Sequence, residues 1–132
     1  MVDSEQAACG AARDPEVCDA ISKMLARIGD KWSLLIVATL GEGALRFNQL
    51  RRTIGDISQK MLSANLKALE RDGLLERTVT PSVPPRVEYA LTDDGREMLV
   101  RFKPFWLWIA QRLGHFERAR ADYDAGHAPR DP

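Results

Sequence analysis

No stretch of this 132-residue chain approaches the roughly 18 consecutive apolar residues that a bilayer-crossing helix needs. The acidic Met1–Arg13 segment also lacks the basic start and apolar centre of a secretory leader, so a cytoplasmic protein with no membrane partner is expected. Cysteine is scarce. Cys9 and Cys18 are too few for a disulfide framework, and the paired CxxC or HxxxH spacing of a zinc site is missing, so any role they have is that of thiols. His115 and His127 have no metal-ligating company and read as an ordinary helical residue and a tail residue. There is no glycine-rich phosphate loop, and no nucleophile, base and orienting group can be assembled. An enzyme is therefore not expected, nor is a cofactor or a metal. Net charge is lacking too, with nineteen basic residues against nineteen acidic ones.

The charge that is present is unevenly placed. Up to Ala44 four basic residues face seven acidic ones, from Leu45 to Ala90 eight face five, and the remainder balances at seven each. The basic excess is thus confined to the middle of the chain, where contact with phosphate is expected. At 45% hydrophobic residues the length suits one ordinary core, and a single domain over 1–132 follows.

Residues 1–14 are small and polar without periodicity and predict a loose arm. Pro15 suits a first helical turn, Val17, Ile21, Leu25 and Ile28 repeat at helical spacing, and Gly29 stops them. Asp30 then caps a second helix that buries Trp32, Leu35, Ile36 and Leu40, with Trp32 as core and only secondarily as the wall of a ligand pocket. Ala44–Arg46 is a short edge strand. Phe47, Leu50 and Ile54 mark a third helix that Gly55-Asp56 breaks, and Ile57 plugs the core. Ser58 caps a fourth helix that ends at Asp72-Gly73, and the third and fourth together have helix-turn-helix spacing. Leu74–Val79 and Arg86–Leu91 are β-compatible, and the Thr80–Pro85 run between them makes a hairpin with a stiff tip.

Thr92 caps a long last helix with Asp93 and Asp94 in its first turn. Within it Leu99, Phe102, Trp106, Ile109, Leu113 and Phe116 step by 3, 4, 3, 4, 3, the seam of helices packing lengthwise against a sister helix or the domain's own core. Pro104 should bend or restart this helix, and Trp108, off the seam, gives a second aromatic surface that a monomer would hide with difficulty. Residues 121–132 are expected to fray. The fold class is mainly α with a small β-hairpin wing, a winged helix-turn-helix core over 15–92 followed by a helix over 93–120.

In the fourth helix Leu62, Leu66 and Leu69 form one buried stripe and leave Lys60, Ser63, Ala64, Lys67 and Arg71 on a small, polar, basic face. A major groove admits such a face, although an exposed amphipathic helix has the same pattern. Gln59, Lys60, Ser63 and Ala64, near the N-terminal end, are the candidates for base edges. Ala64 fits a thymine methyl, but its helix propensity explains it nearly as well. Ser58, Lys67 and Arg71 are candidates for phosphate, Asn65 for a structural role. Arg77 and Arg86 on the hairpin either enter the minor groove or rest on the backbone, and phosphate contact is the simpler role for both. Pro84 and Pro85 either wedge against DNA or only stiffen the tip, the simpler role. Arg46, with Arg51 and Arg52, either positions DNA or is solvated.

Ile28–Trp32, Arg46-Phe47 with Leu50, Ile57–Leu62, Leu66–Glu70, Gly73–Arg77 and Val83–Thr92 together make the chain resemble the HxlR-type bacterial regulators, winged-helix relatives of the MarR group. The resemblance covers Cys18 to about Trp108, and VPPRVEYALT after the wing is its most specific part. It implies a homodimeric transcription factor, a repressor more than an activator, that binds a pseudo-palindromic double-stranded DNA operator. Its dimers would pair through N- and C-terminal helices, which gives the Leu99–Phe116 seam a partner. It further implies a quinone, aldehyde or oxidant effector acting at a cysteine beside the first helix, here Cys18. The family's usual Cys-Pro is Cys18-Asp19 in this chain, with the proline displaced to Pro15.

A helix start lowers a thiol pKa, whereas Asp14, Glu16 and Asp19 oppose thiolate formation, so Cys18 is either a sensor or an inert half-buried thiol, with Cys9 as a possible resolving partner. Two other functions fit the same fold. One senses a small aromatic or apolar ligand without thiol chemistry; the other is a winged helix that binds protein with its basic face solvated.

Overall fold

The computed structural model describes residues 13–127. The elements run α1 (Pro15–Ile28), α2 (Lys31–Leu40), β1 (Leu45–Arg46), α3 (Phe47–Ile54), α4 (Gln59–Arg71), β2 (Leu75–Thr80), β3 (Arg86–Leu91) and α5 (Asp93–Gly126). Two units are distinct, one ending at Arg96 and one beginning at Glu97, so α5 starts in the first and forms the second.

Local sequence sets the element ends. Asp14 accepts from the Glu16 N–H at 2.9 Å and thereby caps α1. The Asp30 carboxylate accepts from the Trp32 and Ser33 N–H groups at 3.2 and 3.3 Å and starts α2. Ser58 Oγ accepts from the Met61 N–H at 3.1 Å and starts α4. Gly73, at φ 78°, then turns the chain out of α4 through a conformation that side-chain-bearing residues avoid.

The core lies where α2, α3 and α4 meet the root of the sheet. Ile36, Leu50, Ile57, Leu62, Leu66 and Leu69 fill it, with Leu74, Leu75 and Leu91 from the strand ends. Leu62, Leu66 and Leu69 are the stripe expected of α4, and Ile57 is the expected plug. The sheet is antiparallel in the order β1-β3-β2. Leu75 opposes Leu91 at its buried root, while Thr80 opposes Arg86 at the exposed tip.

On α2 the buried side is Ser33, Ile36, Val37 and Leu40. Trp32 and Leu35, expected in the core, are only half-buried, and the Lys31 ammonium lies 4.5 Å from the centre of the Trp32 ring. The helix is apolar nearly all round, so periodicity alone does not choose its inner face. Helix α1 buries none of its residues in this chain and leaves Val17, Ile21 and Leu25 exposed along one side.

Helix α5 begins as expected at Thr92, whose hydroxyl accepts from the Gly95 N–H at 3.1 Å and donates to the Gly73 carbonyl at 2.6 Å. Pro104 lies inside the helix without dividing it. The helix does not fray after Arg120 but continues to Gly126, where Tyr123 and His127 stack with ring centres 3.9 Å apart. Polarity in that segment argues against packing, not against helix formation. Residues 128–132 lie outside the described residues.

Candidate nucleic-acid interface

Helix α4 is held by its neighbours in a fixed rotation. Its apolar stripe faces the core, and Ser33, buried to 3% exposure, donates from its hydroxyl to Asn65 Oδ1 at 3.3 Å. Asn65 Nδ2 donates to the Met61 carbonyl at 2.9 Å, which ties the α2 contact to the first turns of α4. The structural role expected of Asn65 is this pin. The turn between α3 and α4 is closed by Arg51, whose Nε donates to the Ile57 carbonyl at 3.4 Å. Arg51 thus has an internal partner, whereas Arg52 is exposed and has none among the described residues.

With that rotation set, Gln59, Lys60 and Ser63 share an open hollow of about 540 Å³ with Phe47. Ala64 is exposed next to Ser63 but is not part of the hollow's lining. Lys67 and Arg71 continue the same face towards the helix end, both exposed. Among the described residues none of Lys60, Lys67 and Arg71 has a carboxylate within ion-pair distance. Their charge is therefore available to an external anion. The Ser58 hydroxyl accepts from Met61 as a cap and keeps its own proton to donate. Arg46 is exposed at the start of α3, where its N–H donates to Gln49 Oε1 at 2.9 Å.

The wing separates its two arginines. Arg77 opposes Tyr89 and shares the face of Leu75 and Leu91, while Arg86 opposes Thr80 on the other face, next to the tip. The sequence places both on the hairpin, but only the register shows that they point apart. Arg86 Nε also lies 3.4 Å from Glu88 Oε1, in a pair exposed enough that water and salt compete with it. Phe47 is the residue that sequence reasoning missed at the hollow. The helical repeat it shares with Leu50 and Ile54 does not separate them, yet Leu50 is fully buried and Phe47 only half so. No pattern within α3 marks it, because the hollow's other walls come from α4.

Cys18 lies apart from this face, in the first turn of α1, where it is exposed as a free thiol. Cys9 lies outside the described residues. On α5, Trp106, Ile109 and Leu113 are 49%, 36% and 47% exposed, while Leu99, Phe102 and Phe116 are half-buried. Trp108 stands in a second stripe, stacked on Phe105 at 6.2 Å and edge-on to Phe116 at 5.7 Å, with Arg112 over its ring. Among the described residues no group of acidic, histidine or cysteine side chains is arranged to hold a metal, and no helix is long and apolar enough to cross a membrane.

A helix-turn-helix whose second helix presents an unpaired basic face, followed by an antiparallel wing, defines a winged-helix DNA-binding regulator of transcription. The HxlR-like helix-turn-helix family matches residues 27–116, and the chain belongs to that family. An HTH-type transcriptional regulator of Methanothermobacter thermautotrophicus is 43% identical over 106 residues, covering 80% of this chain and 81% of the relative. Among solved structures, the reduced form of the regulator YodB from Bacillus subtilis is 37% identical with a TM-score of 0.62, covering 74% of this chain and 91% of that one. The redox regulator HypR in its reduced form is 34% identical with a TM-score of 0.68, covering 75% and 98%.

Proposed function

We propose that this regulator is a homodimeric repressor that reads a pseudo-palindromic operator with one α4 per copy and releases it when an oxidant or electrophile reacts at Cys18. The observation that carries the reading is the face of α4. Gln59, Lys60, Ser63 and Ala64 lie at the end that enters the major groove and meet base edges there. Lys67, Arg71 and Ser58, with Arg46, Arg77 and Arg86 around them, meet phosphate and set the register.

Pairing of two copies is supported by apolar surface that a single chain leaves uncovered. Val17, Ile21 and Leu25 on α1, and Trp106, Ile109 and Leu113 on α5, are exposed in runs that isolated monomers rarely tolerate. Leu99, Phe102 and Phe116 extend the α5 run. Half-sites about 34–36 Å apart follow from one reading helix per copy.

The sensing step rests on an exposed thiol within an uncovered helix face. Cys18 adjoins Val17, so a quinone or aldehyde adduct on its sulfur would stand at the rim of the α1 contact and alter the spacing of the two reading helices. HypR is named a redox regulator, and YodB has been solved in reduced and diamide-treated forms. The test is an operator footprint with and without diamide or a quinone, on the wild type and on Cys18→Ser. Release in the wild type and retention in Cys18→Ser are expected. Equal operator affinity under all four conditions rejects the thiol mechanism and leaves the DNA reading standing. A footprint one half-site long rejects the dimer.

A further inference from the structure

Phe47 occupies the first position of α3, and its half-buried ring is the apolar wall of the open hollow whose other walls are Gln59, Lys60 and Ser63. We propose that Phe47 is a specificity-determining residue that reads the C5-methyl group of a thymine. The proposal rests on the reading above, in which the N-terminal end of α4 enters the major groove.

The ring is not needed where a core aromatic would be. Leu50, one turn further along α3, already fills the buried position at 0% exposure. Among the described residues Phe47 stacks on no other aromatic ring. What it shares instead is the hollow, and the hollow's other three side chains are all hydrogen-bonding groups. Base edges in the major groove present donors and acceptors and one apolar feature, the thymine methyl. Three polar walls fit the former and leave one apolar wall for the latter. Ala64, the other candidate for a methyl contact, lies outside the lining.

Operator duplexes are prepared in which each thymine in turn is replaced by uracil, which removes the methyl and leaves every hydrogen-bonding group in place. Under reducing conditions the wild type is expected to bind about fourfold more weakly when one particular thymine in each half-site is replaced, the loss of one buried methyl-sized contact. Phe47→Ala is expected to bind the thymine and uracil duplexes equally at that position. Should Phe47→Ala fail to fold, Ala64→Gly decides instead: the fourfold difference persists in it if Phe47 reads the methyl and vanishes if Ala64 does. Equal wild-type affinity for thymine and uracil at every position, with preference over scrambled duplex intact, overturns the role of Phe47 alone. Absence of any preference for operator over scrambled duplex overturns base reading by α4 itself.

Discussion

Arg27 Nε, in the last turn of α1, lies 3.1 Å from Oδ2 of Asp72, the residue that ends the reading helix. That oxygen is closed to solvent and makes no aligned hydrogen bond, so the contact is an ion pair and Arg27 is the charge that meets it. The side chains are 39% and 21% exposed, less than in the other ion pairs of the described residues. The helix that carries Cys18 is thereby joined to the far end of α4, the proposed reading helix.

Removing one partner should cost more than removing both. Arg27→Ala leaves the Asp72 oxygen shut away without a counter-charge and is expected to lower stability by about 1–2 kcal/mol. Asp72→Asn in the same background should recover part of that loss. Urea unfolding of the two single variants and the double variant gives the coupling directly, and additive losses would show that the pair is idle.

Two glycines of α5 should respond to alanine with opposite signs. A Cβ on Gly95 would lie 2.0 Å from the Leu74 carbonyl oxygen and 3.2 Å from Leu91 Cδ2, so backbone has to move. Gly95→Ala is expected to destabilise by about 1–3 kcal/mol through overpacking. At Gly114 the nearest atom to a new Cβ is an Arg118 guanidinium nitrogen at 3.6 Å, and alanine there should stabilise by about 0.5–1 kcal/mol through helix propensity. Thermal midpoints of the two variants, measured at one protein concentration, separate these cases.

The Ser33 pin predicts a change in specificity beyond its effect on stability. Ser33→Ala removes the donor to Asn65 Oδ1 and is expected to cost about 1 kcal/mol in unfolding. With α4 less firmly oriented, affinity for operator should fall further than affinity for random duplex. A titration of both duplexes at one salt concentration tests this, and an equal fall for both would limit the pin to folding.

The proposed phosphate contacts of α4 predict a salt dependence. Each phosphate contact contributes about −0.9 to the slope of log affinity against log salt, so Lys67→Ala and Arg71→Ala should each make the slope shallower by about one. Glu88→Gln removes the carboxylate beside Arg86 and should strengthen binding to any duplex by a few-fold. A slope unaltered by Lys67→Ala and Arg71→Ala alike would mean that this face stays in solvent.

Much of this fold is legible in the sequence because its signals are local. Caps at Asp30, Ser58 and Thr92, the Leu62-Leu66-Leu69 stripe and the Ile57 plug all depend on residues within a turn or two of one another. Where the outcome depends on distant partners, the sequence is silent. The buried Ser33 hydroxyl is satisfied by Asn65, thirty-two residues later, which accepts its hydrogen bond, and no periodicity within α2 announces that. Nor does the pattern of α3 reveal that Phe47 faces a hollow built by α4. Likewise the opposite directions of Arg77 and Arg86 follow from strand register, which the hairpin's composition leaves open.

The close approach at Gly95 also has a mechanical meaning. A sheet root whose Leu74 and Leu91 sit against Gly95 with no room for a methyl group is a built-in support, and the strands beyond it are a cantilever. Displacement under load grows with distance from the support, so Arg86 at the tip travels furthest and Arg77, nearer the root, travels least. In the proposed complex, duplexes of different groove width would then be met by movement of the arginine at the tip, while the one near the root keeps its place.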